Sequence, residues 1–194
     1  MPKQKSQPVN TDEFLTEEYE YIAQTAAQAN EDRARVSSFY LIAVGSLIAA
    51  IFGTQFFDAD FFTQGVKFIF SGIFLLLTLM GTSTIVQLAR LRAAWYESML
   101  AMNQLKEFMV SQNKDISKAF RWTSRTLPPK YKKASISFYQ AREAAILSGA
   151  TFTASVYFAQ YALGLNSWGN WLVAAACGIV MIFLQLAVYK KALN

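Results

Sequence analysis

The side chains that could do chemistry in this chain are concentrated in one stretch. Between residues 113 and 133 (NKDISKAFRWTSRTLPPKYKK), Lys114, Lys118, Arg121, Arg125, Lys130, Lys132 and Lys133 stand against a single acid, Asp115, with Ile116, Phe120, Trp122 and Tyr131 interleaved. Clustered cations of this kind bind anions: the Arg fork matches phosphate oxygens, and a Trp ring can stack on a base. The spacing from Lys114 through Lys118 and Arg121 to Arg125 predicts four cations on one helical face, with Pro128 and Pro129 ending that helix. The plainest use of such a ribbon is contact with an anionic inner leaflet, at about 1 kcal/mol per basic residue before screening. The ribbon could also pair weakly with the acidic turn Asp12, Glu13, Glu17, Glu18 and Glu20, or receive a nucleotide or another anionic cytoplasmic ligand. No DNA- or RNA-binding motif accompanies the charge, so no specific nucleic-acid partner is expected.

Elsewhere the chemistry thins out. The chain has no His and a single cysteine, Cys177, which excludes His-based triads, Cys/His metal clusters and a disulfide framework. No catalytic residue, cofactor or metal site is expected. The acids Asp58 and Asp60 read as a solvated outer loop, and Cys177 as packing among Ala and Gly. Gln55, Gln87, Gln160 and Gln185 are the notable amides in apolar surroundings, and snorkelling or capping near an interface accounts for most of them. Gln160 could line a polar path if several copies faced one axis. The hydroxyls of Thr78, Thr82, Thr84, Thr151, Thr153 and Ser155 are expected to bond mostly the preceding carbonyls of their own helices.

The elements that must carry these groups follow from composition. At 194 residues, 54% hydrophobic and 16% charged, the chain has too little polar surface for a water-soluble globule. Residues 36–57, 68–89 and 144–189 carry no charge, against roughly 20 residues for one spanning helix. The last run divides at GLNSWGN, whose Gly, Asn and Ser make a turn and whose Trp168, with Trp171 beyond it, suits an interface. The expectation is an all-α, multi-pass integral membrane protein with four spans: 36–57, 68–89, 144–163 and 170–189. All but Lys67 of the 18 basic residues fall on one side, which puts both termini in the cytoplasm and the chain in an inner membrane. The first apolar run begins only at Val36, too late for a cleaved leader.

Neither Gly nor Pro occurs between Val9 and Val44, or between Thr82 and Leu127, so the first two spans should continue inward as helices. Thr11 or Asp12 can cap the first. Leu15, Tyr19, Ile22, Ala26 and Ala29 alternate four and three residues apart, as do Leu88, Leu91, Trp95, Met102, Leu105 and Met109 with an interruption at Ser98 and Met99. These are coiled-coil stripes, and two spans joined by a short outer loop bury them best against each other as a cytoplasmic helical hairpin. Trp95, Met99, Met102 and Met109 look broader than that thin seam can cover, which points to a homo-oligomer. Small-residue ladders, Gly45, Ala49 and Gly53 in the first span, Ala145, Gly149 and Thr153 in the third, and Ala174 with Gly178 in the fourth, are expected to pack within one subunit. The organisation is therefore a polar tail (1–12), a long hairpin (13–112), a basic connector (113–143), a second spanning hairpin (144–189) and a basic tail (190–194).

The charged helix EYEYIAQTAAQANEDRAR running directly into the first span, the short outer loop, and the second span leading into RLRAAWYESMLAMNQLKEFMV resemble the SLATT-type two-span proteins of bacteria. The likeness covers about residues 13–112; the hairpin at 144–189 departs from it. It implies a membrane effector of a nucleotide-triggered defence system that forms pores. Taken together, the sequence suggests a non-enzymatic membrane component, oligomeric or pore-forming, that answers a cytoplasmic signal. The alternative is a scaffold that recruits a cytoplasmic protein without conduction.

Overall fold

The computed structural model describes residues 11–53, 63–165 and 167–193. Residues 1–10, residues 54–62 with Gln55, Asp58 and Asp60, Asn166 and Asn194 lie outside them. Among the described residues every regular element is helical: α1 (Thr11–Gly53), α2 (Gln64–Gln112), two short 3-10 segments (Lys114–Ala119 and Ser124–Thr126), α3 (Ile136–Ala162) and α4 (Trp168–Ala192). Three of them, α1, α2 and α4, are long and apolar enough to cross a membrane. With 27 residues, α3 spans about 40 Å at roughly 1.5 Å per residue, so composition and not length sets it apart.

Element boundaries follow local chemistry. In the absence of Gly and Pro, α1 and α2 run unbroken well past their uncharged stretches. Asn113 stops α2: its backbone is extended and its side chain accepts the Asp115 N–H at 3.0 Å. The predicted four-cation helical face is therefore not formed. Lys114 and Lys118 sit on the first 3-10 segment, Phe120 is extended, and Arg125 lies on a second segment held by a reciprocal Thr123–Thr126 cap. The expected connector is also shorter at its far end. Ser135 caps α3 by accepting the Phe138 N–H at 3.2 Å, so the helix begins at Ile136 and contains Arg142 and Glu143, which end an uncharged run but not a helix. The predicted turn after α3 is a Schellman motif: Leu165 N–H donates to the Gln160 carbonyl, Gly164 N–H donates to that of Tyr161, and Gly164 takes a left-handed φ of 77°.

The helices pack antiparallel in chain order, with α2 touching all three others. Leu15 and Tyr19 of α1 meet Lys106 and Met109 of α2 at one end, and Tyr40 meets Gly81 further along. The core is built from Tyr40 and Val44 of α1, Phe70, Phe74, Leu77, Ile85 and Leu88 of α2, the alanines at 141, 144 and 145 of α3, and Tyr189 of α4. The buried stripe of α1 passes through Ile22, Ala26, Ala29, Arg33, Ser37, Tyr40 and Val44, so the spacing seen near the start of the helix continues into its apolar half. The surface expected to be left over on α2 is smaller than expected: Met102 is buried, and Trp95, Met99 and Met109 are half-buried. Arg92 lies over the Trp95 ring, while Met109 and Phe120 border an open groove with Leu15 and Tyr19, so the chain covers that face only in part.

Candidate functional site

Two groups of buried polar residues cross the bundle. The first surrounds Thr78. Its carbonyl accepts the hydroxyls of Thr82 (3.0 Å) and Ser148 (3.1 Å), and both hydroxyls in turn accept Gln185 Nε2, at 2.9 Å and 2.6 Å. This closed ring joins α2, α3 and α4. The Thr78 hydroxyl donates to the Phe74 carbonyl and lies 2.9 Å from that of Thr151. Towards the other end, Ser71 and Ser155 each donate to the other's carbonyl at 2.9 Å. Thr78, Thr82, Thr151 and Thr153 thus donate to carbonyls of their own helices, as expected, while Ser155 donates across to α2. Gln185, 1% exposed, is a three-helix clasp and not a snorkelling amide, although its Oε1 has no partner. Sequence reasoning missed it because nothing local distinguishes a glutamine facing lipid from one facing two hydroxyls.

The second group lies where the stripe of α1 meets α2 and the start of α3, just outside the uncharged runs 36–57 and 68–89. Arg33 (8% exposed) and Arg92 (7% exposed) share a cavity of about 430 Å³ with Asn30, Trp95, Ser135, Ile136 and Ser137. Arg33 Nη2 donates to Asn30 Oδ1 at 2.8 Å, while its Nε and Nη1 are buried and unbonded. Arg92 donates from Nε to the Lys130 carbonyl at 3.3 Å and stacks over Trp95, 4.3 Å from the ring centroid. Neither guanidinium has a carboxylate partner: the ion pairs among the described residues are Arg35–Asp32 and Lys130–Glu97. Burial pushes the Arg33 pKa down, the nearby charge of Arg92 pushes it further, and burial lowers that of Arg92 as well. Arginine stays protonated despite such shifts, so the cavity holds two buried like charges.

A third contribution comes from α3. Ser135 caps the Phe138 N–H, but the first helical N–H groups, of Ile136 and Ser137, have no acceptor within the helix and lie at the positive end of its dipole. The Ser137 hydroxyl is taken by Tyr189 of α4 at 2.9 Å. Cations, orphan N–H groups and an aromatic wall together make an arrangement suited to an anion. Its signal was present in the sequence: Arg33 stands four residues after Ala29 and continues the stripe, where a charge is out of place.

The basic residues singled out from the sequence lie mostly at the surface. Lys114, Lys118, Arg121, Arg125, Lys132 and Lys133 are exposed. Lys130 is half-buried, pairs with Glu97 at 3.7 Å, and lies 5.4 Å from the Tyr96 ring centroid. The basic segment folds back on α2, where Ser124 N–H donates to Glu107 Oε1 at 3.0 Å. Of the small-residue ladders, Ala145 and Ala174 are fully buried and Gly149 and Gly178 bring α3 and α4 into backbone contact. A Cβ on Gly178 would stand 2.7 Å from the Gly149 carbonyl oxygen, and one on Gly149 would stand 2.8 Å from that of Gly178. Gly45 and Ala49 do not pack within the subunit: both are exposed, and a Cβ on Gly45 would meet nothing within 4 Å, because the buried stripe of α1 occupies its other side. The surroundings of Gly53 lie outside the described side chains. Cys177 is half-buried and free.

No family model, curated protein or solved structure matches this chain.

Proposed function

We propose that the chain is a non-enzymatic membrane protein of four spans that works as an oligomeric assembly or pore-forming component and answers a signal at its charged, cytoplasmic end. The observation that carries this reading is the unbroken buried stripe of α1. It runs from Ile22 through Arg33 to Tyr40 and Val44, so any change in how α1 sits on α2 at the charged end reaches the apolar half through one rigid rod. The resemblance of residues 13–112 to SLATT-type effectors agrees with such a role.

Support for α3 as the fourth span comes from its register. Ser155 bonds Ser71, Thr151 meets Thr78, and Tyr161 lies under Lys67, so α3 accompanies the whole uncharged run of α2. The hydroxyls that lower its hydropathy are turned inward and bonded, which removes their cost in hydrocarbon. Outward residues of the other three helices, such as Ile42, Leu76, Leu79, Val180 and Phe183, are large and apolar. Because the internal polar groups of the apolar half are mostly engaged, a conducting path would lie between copies. The open Gly45 and Ala49 face of α1 is suited to close approach by a second copy. The charge asymmetry supports two cytoplasmic termini in an inner membrane, with the exposed basic residues against its anionic leaflet.

Reconstitution into dye-loaded liposomes tests the proposal. Release that depends on a cytoplasmic ligand is expected; vesicles that stay sealed under every ligand condition would overturn the pore version. A reporter fused after Asn194 should be found inside the cell. The second reading, a scaffold for a cytoplasmic protein, is favoured by Trp122, which is 58% exposed beside Arg121. It would be supported by a soluble protein recovered in stoichiometric amount from detergent extracts.

A further inference from the structure

We infer that the cavity between Arg33, Arg92 and the first turn of α3 is a binding site for a phosphate group. This names the ligand class for the signal proposed above and rests on that reading only for its consequence in the membrane. Two buried guanidinium groups without a carboxylate are costly, and a buried charge ordinarily survives only when paired. Arg33 supplies two N–H groups, Nε and Nη1, that none of the described residues accepts, although it is more than nine-tenths buried. The orphan N–H groups at the start of α3 add donors and a third source of positive potential.

The donor set selects among anions. A carboxylate brings one charge and two oxygens, which leaves one arginine uncompensated. A phosphate monoester brings about −1.5 to −2 charges and three strong acceptor oxygens, enough for both guanidinium groups and the helix terminus together. At about 430 Å³ the cavity falls within the range of small-molecule sites, and the Trp95 ring gives it one flat wall. Two sources can present this group. The arginines lie just outside the apolar runs, where either a lipid headgroup or a soluble phosphate compound could reach them. The seven basic residues of the connector are mostly solvated and bring no two buried guanidinium groups together.

The test uses the full-length protein in neutral detergent and reads its thermal midpoint at constant ionic strength. Inorganic phosphate is titrated in one arm. In the other, the protein is placed in phosphatidylcholine vesicles with or without phosphatidic acid. A saturable rise of the midpoint is expected in at least one arm: with inorganic phosphate for a soluble source, with phosphatidic acid alone for a lipid one. Arg33→Gln and Arg92→Gln should each weaken the response by at least about tenfold. Replacing Lys114, Lys118, Arg121 and Arg125 together by Gln should leave it in place. Without phosphate, Arg33→Met should melt above the parent protein, since a buried like charge has gone. No saturable shift in either arm, a shift that survives both arginine substitutions, or an Arg33→Met protein that melts lower would overturn the site. Binding without dye release would sink the pore reading and leave the site standing.

Discussion

The ring around Thr78 and the cavity around Arg33 are both buried, polar and built where three helices meet, yet they differ in whether their groups are satisfied. In the ring, one carbonyl, two hydroxyls and the Gln185 amide nitrogen bond one another across α2, α3 and α4, and only the neutral Gln185 Oε1 is left open. In the cavity, two cations share one space, with a single bond from each guanidinium and no acid. An unsatisfied buried donor costs about 1–3 kcal/mol, and more when it is charged. A protein that bonds most of its buried hydroxyls a few turns away, leaving only neutral atoms such as the Tyr40 hydroxyl open, yet leaves two charged arginines without an acid, is using the first set to hold the bundle and the second to meet something else. Burial alone does not separate architecture from recognition; the state of the donors does.

The strongest challenge to the architectural half is at the α3–α4 crossing. Gly178→Val, or Gly149→Val, forces a side chain against a carbonyl that cannot move aside, and should destabilise near the top of the about 1–3 kcal/mol range of overpacking, read as a lowered thermal midpoint in detergent. Next comes Gln185→Leu. It removes the two amide N–H bonds of the ring, leaves those donated by Thr82 and Ser148, and should cost about 1–2 kcal/mol, moderated because the Gln185 Oε1 is unbonded already. The comparison requires opposite signs here: Gln185→Leu must lower the midpoint and Arg33→Met must raise it in the absence of phosphate, and equal signs would erase the distinction. Thr78→Val should be milder, about 0.6 kcal/mol and at most about 1.7, since the carbonyl that organises the ring stays. Gly45→Val should be the quietest, within about 0.5 kcal/mol in thermal stability, but it is the substitution expected to change the mass measured in detergent if the open face of α1 joins copies.

Composition and periodicity are properties of short windows, and what depends on short windows could be read directly. The uncharged runs mark α1, α2 and α4 as long enough and apolar enough for a membrane, the lack of Gly and Pro keeps α1 and α2 continuous, and GLNSWGN sits at the break between α3 and α4. Where the reading failed, the cause lay in a single local event or a distant neighbour. Asn113 redirects the chain and dissolves the expected cationic face. Gly45 and Gly149 stand in similar small-residue ladders, yet one faces outward and the other meets Gly178.

The amino-acid order by itself determined the helical rods this chain forms and that three of them are long and apolar enough to cross a membrane, because hydropathy and backbone propensity act within a few residues. Only the tertiary structure decided that Arg33 and Arg92 would face each other without an acid, or that Gln185 would close a ring with Ser148 and Thr82. Those outcomes depend on which face of each helix meets its neighbour across tens of residues. A partner for a buried donor is a fact of that geometry, and no window of sequence contains it.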